Sequence, residues 1–147
     1  MKLEEMDAKY AVYGMLFSLS NRIQAIGDKV FDDITLKQHF ILGALNICEE
    51  PPTLKEMGML IGCSYQNVKR MALHLERAGY IKLVPDEEDK RKLRIVPTEK
   101  IEKMAEEKKE ATLRFMEGLY QGISEEEIKT ALAILNKMEK NLGGTVK

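Results

Sequence analysis

Two cysteines, two histidines and no long apolar run set the first limits on this chain of 147 residues. Cys48 and Cys63 form no CxxC pair, so their spacing supports neither a zinc nor an iron–sulfur site. A structural disulfide is not expected in a cytoplasmic protein of this size. His39 and His74 stand alone, with no acid–base or nucleophile constellation, so hydrolytic catalysis has no foothold. No metal or cofactor is expected. No apolar stretch approaches the roughly 20 residues that cross a bilayer. The opening MKLEEMDAKY mixes acids and bases before any apolar segment, unlike a secretory signal. The expectation is a cytoplasmic protein without a membrane partner. No internal repeat or low-complexity segment stands out.

What is present describes a charge-rich globular chain, 44% apolar and 32% charged, long enough to bury a core. The net charge of −1 hides an asymmetry: residues 1–61 carry −3, residues 62–98 carry +3, and residues 99–147 carry −1. Positive charge concentrated in the middle third points to a polyanionic partner for that third.

That third holds the informative stretch, TLKEMGMLIGCSYQNVKRMALHLERAGYI, from Thr53 to Ile81. Thr53 and Glu56 form a capping box that opens a short helix with Leu54, Met57, Leu60 and Ile61 inward. Gly58 falls where a tight helix pair crosses closely, and Gly62 permits a positive φ in the turn. Ser64 caps a second helix, with Val68, Met71, Ala72 and Leu75 inward and Gly79 at its end. Its outer side carries Gln66, Asn67, Lys69, Arg70 and His74. Amides and cations there suit base edges in a DNA major groove. After Gly79 the period becomes two. Residues 80–84 and 92–96 read as antiparallel strands around the polar loop PDEEDKR, a β-wing rich in Lys90, Arg91, Lys92 and Arg94.

Helices flank this unit. Residues from about Asp7 to Phe31 read as one helix with a seam at Val12, Leu16, Leu19, Ile23, Ile26 and Val30. Some 25 residues span about 37 Å, more than one small domain covers, so burial against a second subunit is favoured over an ordinary core helix. Thr35 and Gln38 form a capping box for a helix through Ile47, with Phe40, Ile41, Ala44, Leu45 and Ile47 as its apolar set; Pro51-Pro52 breaks the chain after it. Thr98 is expected to cap one helix running to Tyr120, with the EEKKE run as its solvated side. Ser124 and Glu127 form a third capping box for the last helix, and GGTVK is a tail.

The order of elements, with QNVKRM, LERAGYI and DEEDKRK together, resembles the MarR (multiple antibiotic resistance regulator) family of winged-helix transcription regulators. By motif the resemblance covers about residues 35–100. The fold class it implies is mainly α with a small β-wing: a winged helix-turn-helix lobe at 33–98 and a helical dimerisation region at 1–32 and 99–147. It implies a homodimer that sets each recognition helix in a major groove of double-stranded DNA and each wing tip at a minor groove, most often as a repressor on a palindromic site. The family's wing arginine matches Arg91, and the acid that orients it matches Asp89. Two departures stand out: Pro97-Thr98 where the family has Leu-Thr, and Ile101 where glycine is usual.

Gln66, Asn67 and Arg70 are the base-contacting candidates, weighed against a solvated helix face. Ser64, Tyr65, Lys69, His74, Lys90 and Lys92 are the remaining candidates for DNA contact. Cys63, in the turn, reads first as a packing residue; the rival reading is a redox sensor whose oxidation releases DNA. Tyr10, Tyr13 and Phe17 are candidates to line a pocket for a small lipophilic or aromatic effector, against a plain core role. A winged-helix module that binds protein instead of DNA is the other class, and Lys69 and Arg70 argue against it. No enzyme site is found.

Overall fold

The structure is a computed structural model that describes residues 5–144. Its elements run α1 (Ala8–Gly27), α2 (Leu36–Leu45), α3 (Leu54–Ile61), α4 (Tyr65–Arg77), β1 (Ile81–Pro85), β2 (Leu93–Pro97), α5 (Lys100–Glu107), α6 (Lys109–Leu119) and α7 (Glu125–Asn141). Seven helices and one two-stranded antiparallel sheet among the described residues make the mainly helical, winged architecture expected.

The core belongs to one lobe. Every buried apolar residue among those described lies between Phe31 and Met104. Ile41 and Leu42 from α2, Leu54 and Met57 from α3, Leu75 from α4, and Ile81 and Ile95 from the sheet are almost wholly enclosed. Each such side chain contributes about 1.5–3 kcal/mol by leaving water. By contrast, α6 and α7 have no buried residue, and α1 has only Gly27.

Three capping boxes form as the sequence indicates. Thr35 and Gln38, Thr53 and Glu56, and Ser124 and Glu127 each exchange side-chain and backbone hydrogen bonds. Elsewhere the structure differs. The first helix ends at Gly27 and not near Phe31, because Asp28 turns the chain and its Oδ1 accepts the Leu36 N–H at 2.6 Å. Gly27 packs so closely on Leu36 that a Cβ there would collide with its side chain. The helix through Ile47 ends at Leu45. Phe40 and Ile47, expected inward, are 56% and 71% exposed, and Leu42 takes the inward place. Thr98 does not cap a helix; its hydroxyl donates to the Gly79 carbonyl at 2.6 Å. The single helix to Tyr120 is two, meeting at Lys108 with φ −100° and ψ 5°. Backbone hydrogen bonds continue across that bend, from Lys108 N to Met104 O and from Thr112 N to Lys108 O, both 2.9 Å. Of the GGTVK tail, residues 145–147 lie outside the described residues.

Candidate nucleic-acid interface

The turn between α3 and α4 is built from backbone contacts. Gly62 adopts φ +69°, and the Cys63 N–H returns to the Gly58 carbonyl at 2.9 Å. A Cβ on Gly58 would stand 2.8 Å from the Cys63 carbonyl oxygen, so the close approach expected there is to the turn backbone more than to a facing helix. The Ser64 hydroxyl accepts the Asn67 N–H at 3.3 Å and starts α4. Val68, Met71, Ala72 and Leu75 then point into the core, which fixes the rotation of α4. That rotation leaves Ser64, Tyr65, Gln66, Asn67 and Arg70 exposed and Lys69 half-exposed. Arg70 Nη2 donates to Asn67 Oδ1 at 3.4 Å, so the two sit as a braced pair. His74 departs from this group. Its Nε2 lies 3.1 Å from the Asp33 carbonyl, turning the ring toward the α1–α2 loop and away from the exposed set.

The wing is anchored at its base and shaped at its tip. β1 and β2 pair from Ile81↔Pro97 to Pro85↔Leu93. The Ile95 N–H reaches the Pro52 carbonyl at 2.8 Å, tying β2 to the strap before α3. Asp86 accepts the N–H groups of Glu88 and Asp89 at 3.2 and 3.0 Å, and it pairs with Arg94. Those backbone N–H groups and the guanidinium hold the Asp86 carboxyl below its ordinary range. Arg94 also donates to the Pro51 carbonyl at 2.6 Å. Counting Arg94 with the wing's free positive charge is therefore corrected: both its contacts are internal. Asp89 holds Arg91 through Nε at 3.0 Å and Nη2 at 3.1 Å, a bidentate pair that lowers the Asp89 carboxyl pKa. The Arg91 side chain is nonetheless 91% exposed. Lys90 and Lys92 beside it are exposed too.

Residues 34–93 match the family model described as MarR family. This lobe is a MarR-family winged helix-turn-helix. The chain is 26% identical over 125 residues to the uncharacterized HTH-type transcriptional regulator YybA of Bacillus subtilis, spanning 84% of this chain and 83% of YybA. A MarR protein of Peptoclostridium difficile superposes with a TM-score of 0.78 at 23% identity, over 97% of this chain and 92% of that one. MepR of S. aureus, solved in complex with DNA, superposes at 0.74 and 24% identity, over 93% and 99%. The family match over residues 34–93 and these superpositions give the chain a winged helix-turn-helix fold of the MarR type.

Two features of the structure carry little signal in the sequence. Lys55, exposed on α3, shares a cleft of about 480 Å³ with Tyr65, Arg91 and Lys92, between α3 and the wing. Its only signal was its place inside the Thr53 capping box. An apolar cavity of about 600 Å³ opens between α1, α2 and α6, lined by Leu16, Leu19, Ile23, Phe40, Met71 and Phe115 among others. Tyr10, Tyr13 and Phe17 do not line it. They are 69%, 63% and 61% exposed farther up α1, with the Tyr13 and Phe17 rings edge to face at 5.1 Å. His39 borders the cavity and stacks on Phe31 at 4.2 Å, and burial pushes its imidazole pKa down. Cys63 is half-buried beside the cavity. The Cys48 thiol donates to the Ala44 carbonyl, and burial and Glu56 raise its pKa. No cluster among the described residues suits a metal ion, and no described helix is long and apolar enough to cross a membrane.

Proposed function

We propose that this chain acts in the cytoplasm as a homodimeric repressor on a palindromic DNA operator. One observation carries the reading: the buried face of α4 leaves Gln66, Asn67 and Arg70 outward together, beside a wing whose Arg91 is exposed and braced by Asp89. In this reading Gln66, Asn67 and Arg70 read base edges, while Ser64, Tyr65, Lys69, Lys90 and Lys92 hold phosphates. Arg91 enters the minor groove, where the negative potential is deepest when the groove is narrow. The solved MepR–DNA complex supports DNA as the partner. His74, occupied by the Asp33 carbonyl, drops out of the contact set.

Residues 33–98 form the DNA-binding lobe, and residues 1–32 and 99–147 the dimerisation region. The support is the apolar surface that the chain leaves uncovered on α1, α6 and α7, including Tyr13, Phe17, Leu113, Leu132 and Leu135. A small lipophilic or aromatic molecule in the α1–α2–α6 cavity relieves repression by favouring a dimer whose recognition helices are wrongly spaced.

The test is selection of bound duplexes from a random pool, followed by anisotropy titration of the recovered sequence. An inverted repeat with half-sites about 34–36 Å apart is expected. Affinity should fall steeply as salt rises. Recovery of no common sequence, or an affinity flat in salt, contradicts the reading.

A further inference from the structure

The loop between α1 and α2 carries two adjacent aspartates, Asp32 and Asp33, that the proposed DNA contact does not use. Asp33 touches three parts of the lobe. Its Oδ1 accepts the Tyr80 hydroxyl at 2.8 Å, and its Oδ2 accepts Lys100 Nζ at 3.3 Å. Its backbone carbonyl lies 3.1 Å from His74 Nε2 on α4. Lys100 Nζ also stands 4.4 Å from the Tyr80 ring centroid and donates to the Ala78 carbonyl. Asp32 reaches the other way, accepting Lys108 Nζ at 2.8 Å. Lys108 is the bend where α5 passes into α6. One short loop thus ties together the end of α1, the C-terminal half of α4, the start of α5 and the α5–α6 bend.

Exposed ion pairs of this kind add little to stability one at a time. The Tyr80 contact is the shielded member, with that residue only 3% exposed. Location gives the set its importance. In a dimer held by α1, α6 and α7, the angle between α4 and those helices fixes the distance between the two recognition helices. We propose that Asp32 and Asp33 are specificity-determining residues: they lock that angle and so set the half-site spacing the dimer accepts. This rests on the two-half-site reading above. With the contacts intact, the lobes hold one separation. With them cut, the α1–α2 joint keeps the Gly27–Leu36 packing and the Asp28–Leu36 hydrogen bond but loses its ties to α4, α5 and the α5–α6 bend, and mis-spaced sites bind with affinity closer to that of the correct one. A merely structural role would lower affinity for every duplex alike and leave the ratio between spacings unchanged.

The experiment uses the full chain, the duplex recovered by selection, and versions one base pair longer or shorter between half-sites. Asp33→Ala, Tyr80→Phe and Asp32→Ala are compared with wild type by anisotropy, with thermal melts recorded alongside. Asp32 is 85% exposed at its side chain, so its removal leaves the lobe folded. The expected result is a fall of about fivefold in discrimination between correct and altered spacing for Asp33→Ala. Affinity for a duplex with a single half-site should hold. Swapping the second pair, Asp32→Lys with Lys108→Asp, should recover the discrimination that Asp32→Ala loses. An unchanged spacing ratio in Asp33→Ala and Tyr80→Phe overturns the inference, as does failure of the swap. If wild type itself binds all spacings equally, the two-half-site reading fails, and this inference fails with it.

Discussion

Gly58→Ala is the sharpest test of how the recognition helix is held. An added methyl would stand 2.8 Å from the Cys63 carbonyl oxygen and 3.6 Å from Val68 Cγ2. The nearer atom belongs to backbone, in a turn closed by the Cys63 N–H to Gly58 carbonyl bond of 2.9 Å. No side chain can rotate to make room, so relief requires opening the α3–α4 turn. Overpacking of this kind costs about 1–3 kcal/mol. Exchanging glycine for alanine inside a helix recovers up to about 1 kcal/mol. The net is a loss of about 1–2 kcal/mol, and a Tm about 2–8 °C lower for a chain of this length. Gly43→Ala is the control: it is also helical, but nothing lies within 4 Å of its added methyl. That variant should be stabilised by about 0.5–1 kcal/mol. Scanning calorimetry of all three proteins at one protomer concentration, because dimerisation makes Tm concentration-dependent, reads the difference. Operator affinity should fall for Gly58→Ala alone, because a shifted turn displaces Ser64 through Arg70. A Gly58→Ala protein as stable as wild type, with full affinity, would refute the account of the turn.

Three further outcomes follow from the same geometry. Arg70→Ala should cost about 1–3 kcal/mol of operator binding and relax sequence preference, whereas Lys69→Ala should weaken all duplexes alike and flatten the salt dependence; anisotropy on operator and scrambled DNA separates them. Ser124→Ala removes the capping box of α7, worth about 1 kcal/mol, from a helix with no buried residue of its own, so sedimentation should show a weaker dimer. Burial holds the His39 imidazole below its ordinary 6.5, so the fold favours the neutral ring. Its stabilisation is complete above pH 6.5 and is lost as pH falls through the lower folded value; denaturant midpoints should decline on acidification below pH 6.5, and His39→Asn should reduce that slope.

What was legible in the sequence was local. The capping boxes at Thr35, Thr53 and Ser124, the positive φ of Gly62 and the inward face of α4 each depend on residues within a turn of one another. The Asp89–Arg91 pair joins residues two apart in the chain. The misreadings share a cause, since each turned on a distant partner. Thr98 looks like a cap until Gly79 takes its hydroxyl. Arg94 looks like free charge until Asp86 and Pro51 claim it, and His74 looks like a groove contact until Asp33 does. The bend at Lys108 falls among good helix formers and carries no breaker. Phe40 is as apolar as Leu42, so composition alone could not say which of them α2 turns inward.

The division of burial has a consequence for control. The lobe's core is closed by residues 31–104 and does not draw on α6 or α7. The lobe can therefore tilt as a unit without exposing its core, and tilting costs only the contacts at the joint. Those contacts include Gly27 packed on the Leu36 side chain, the Asp28 carboxylate on the Leu36 N–H, and the pairs of Asp33 with Lys100 and Asp32 with Lys108. The apolar cavity between α1, α2 and α6 opens beside that joint, bordered by His39, whose ring stacks on Phe31 just before the two aspartates. A ligand that wedges α2 from α1 would have to loosen the Gly27–Leu36 packing and the Asp28–Leu36 hydrogen bond as well as the weaker surface pairs. The differential binding needed to move such an equilibrium is a few kcal/mol, within reach of a small apolar molecule that fills a cavity of about 600 Å³.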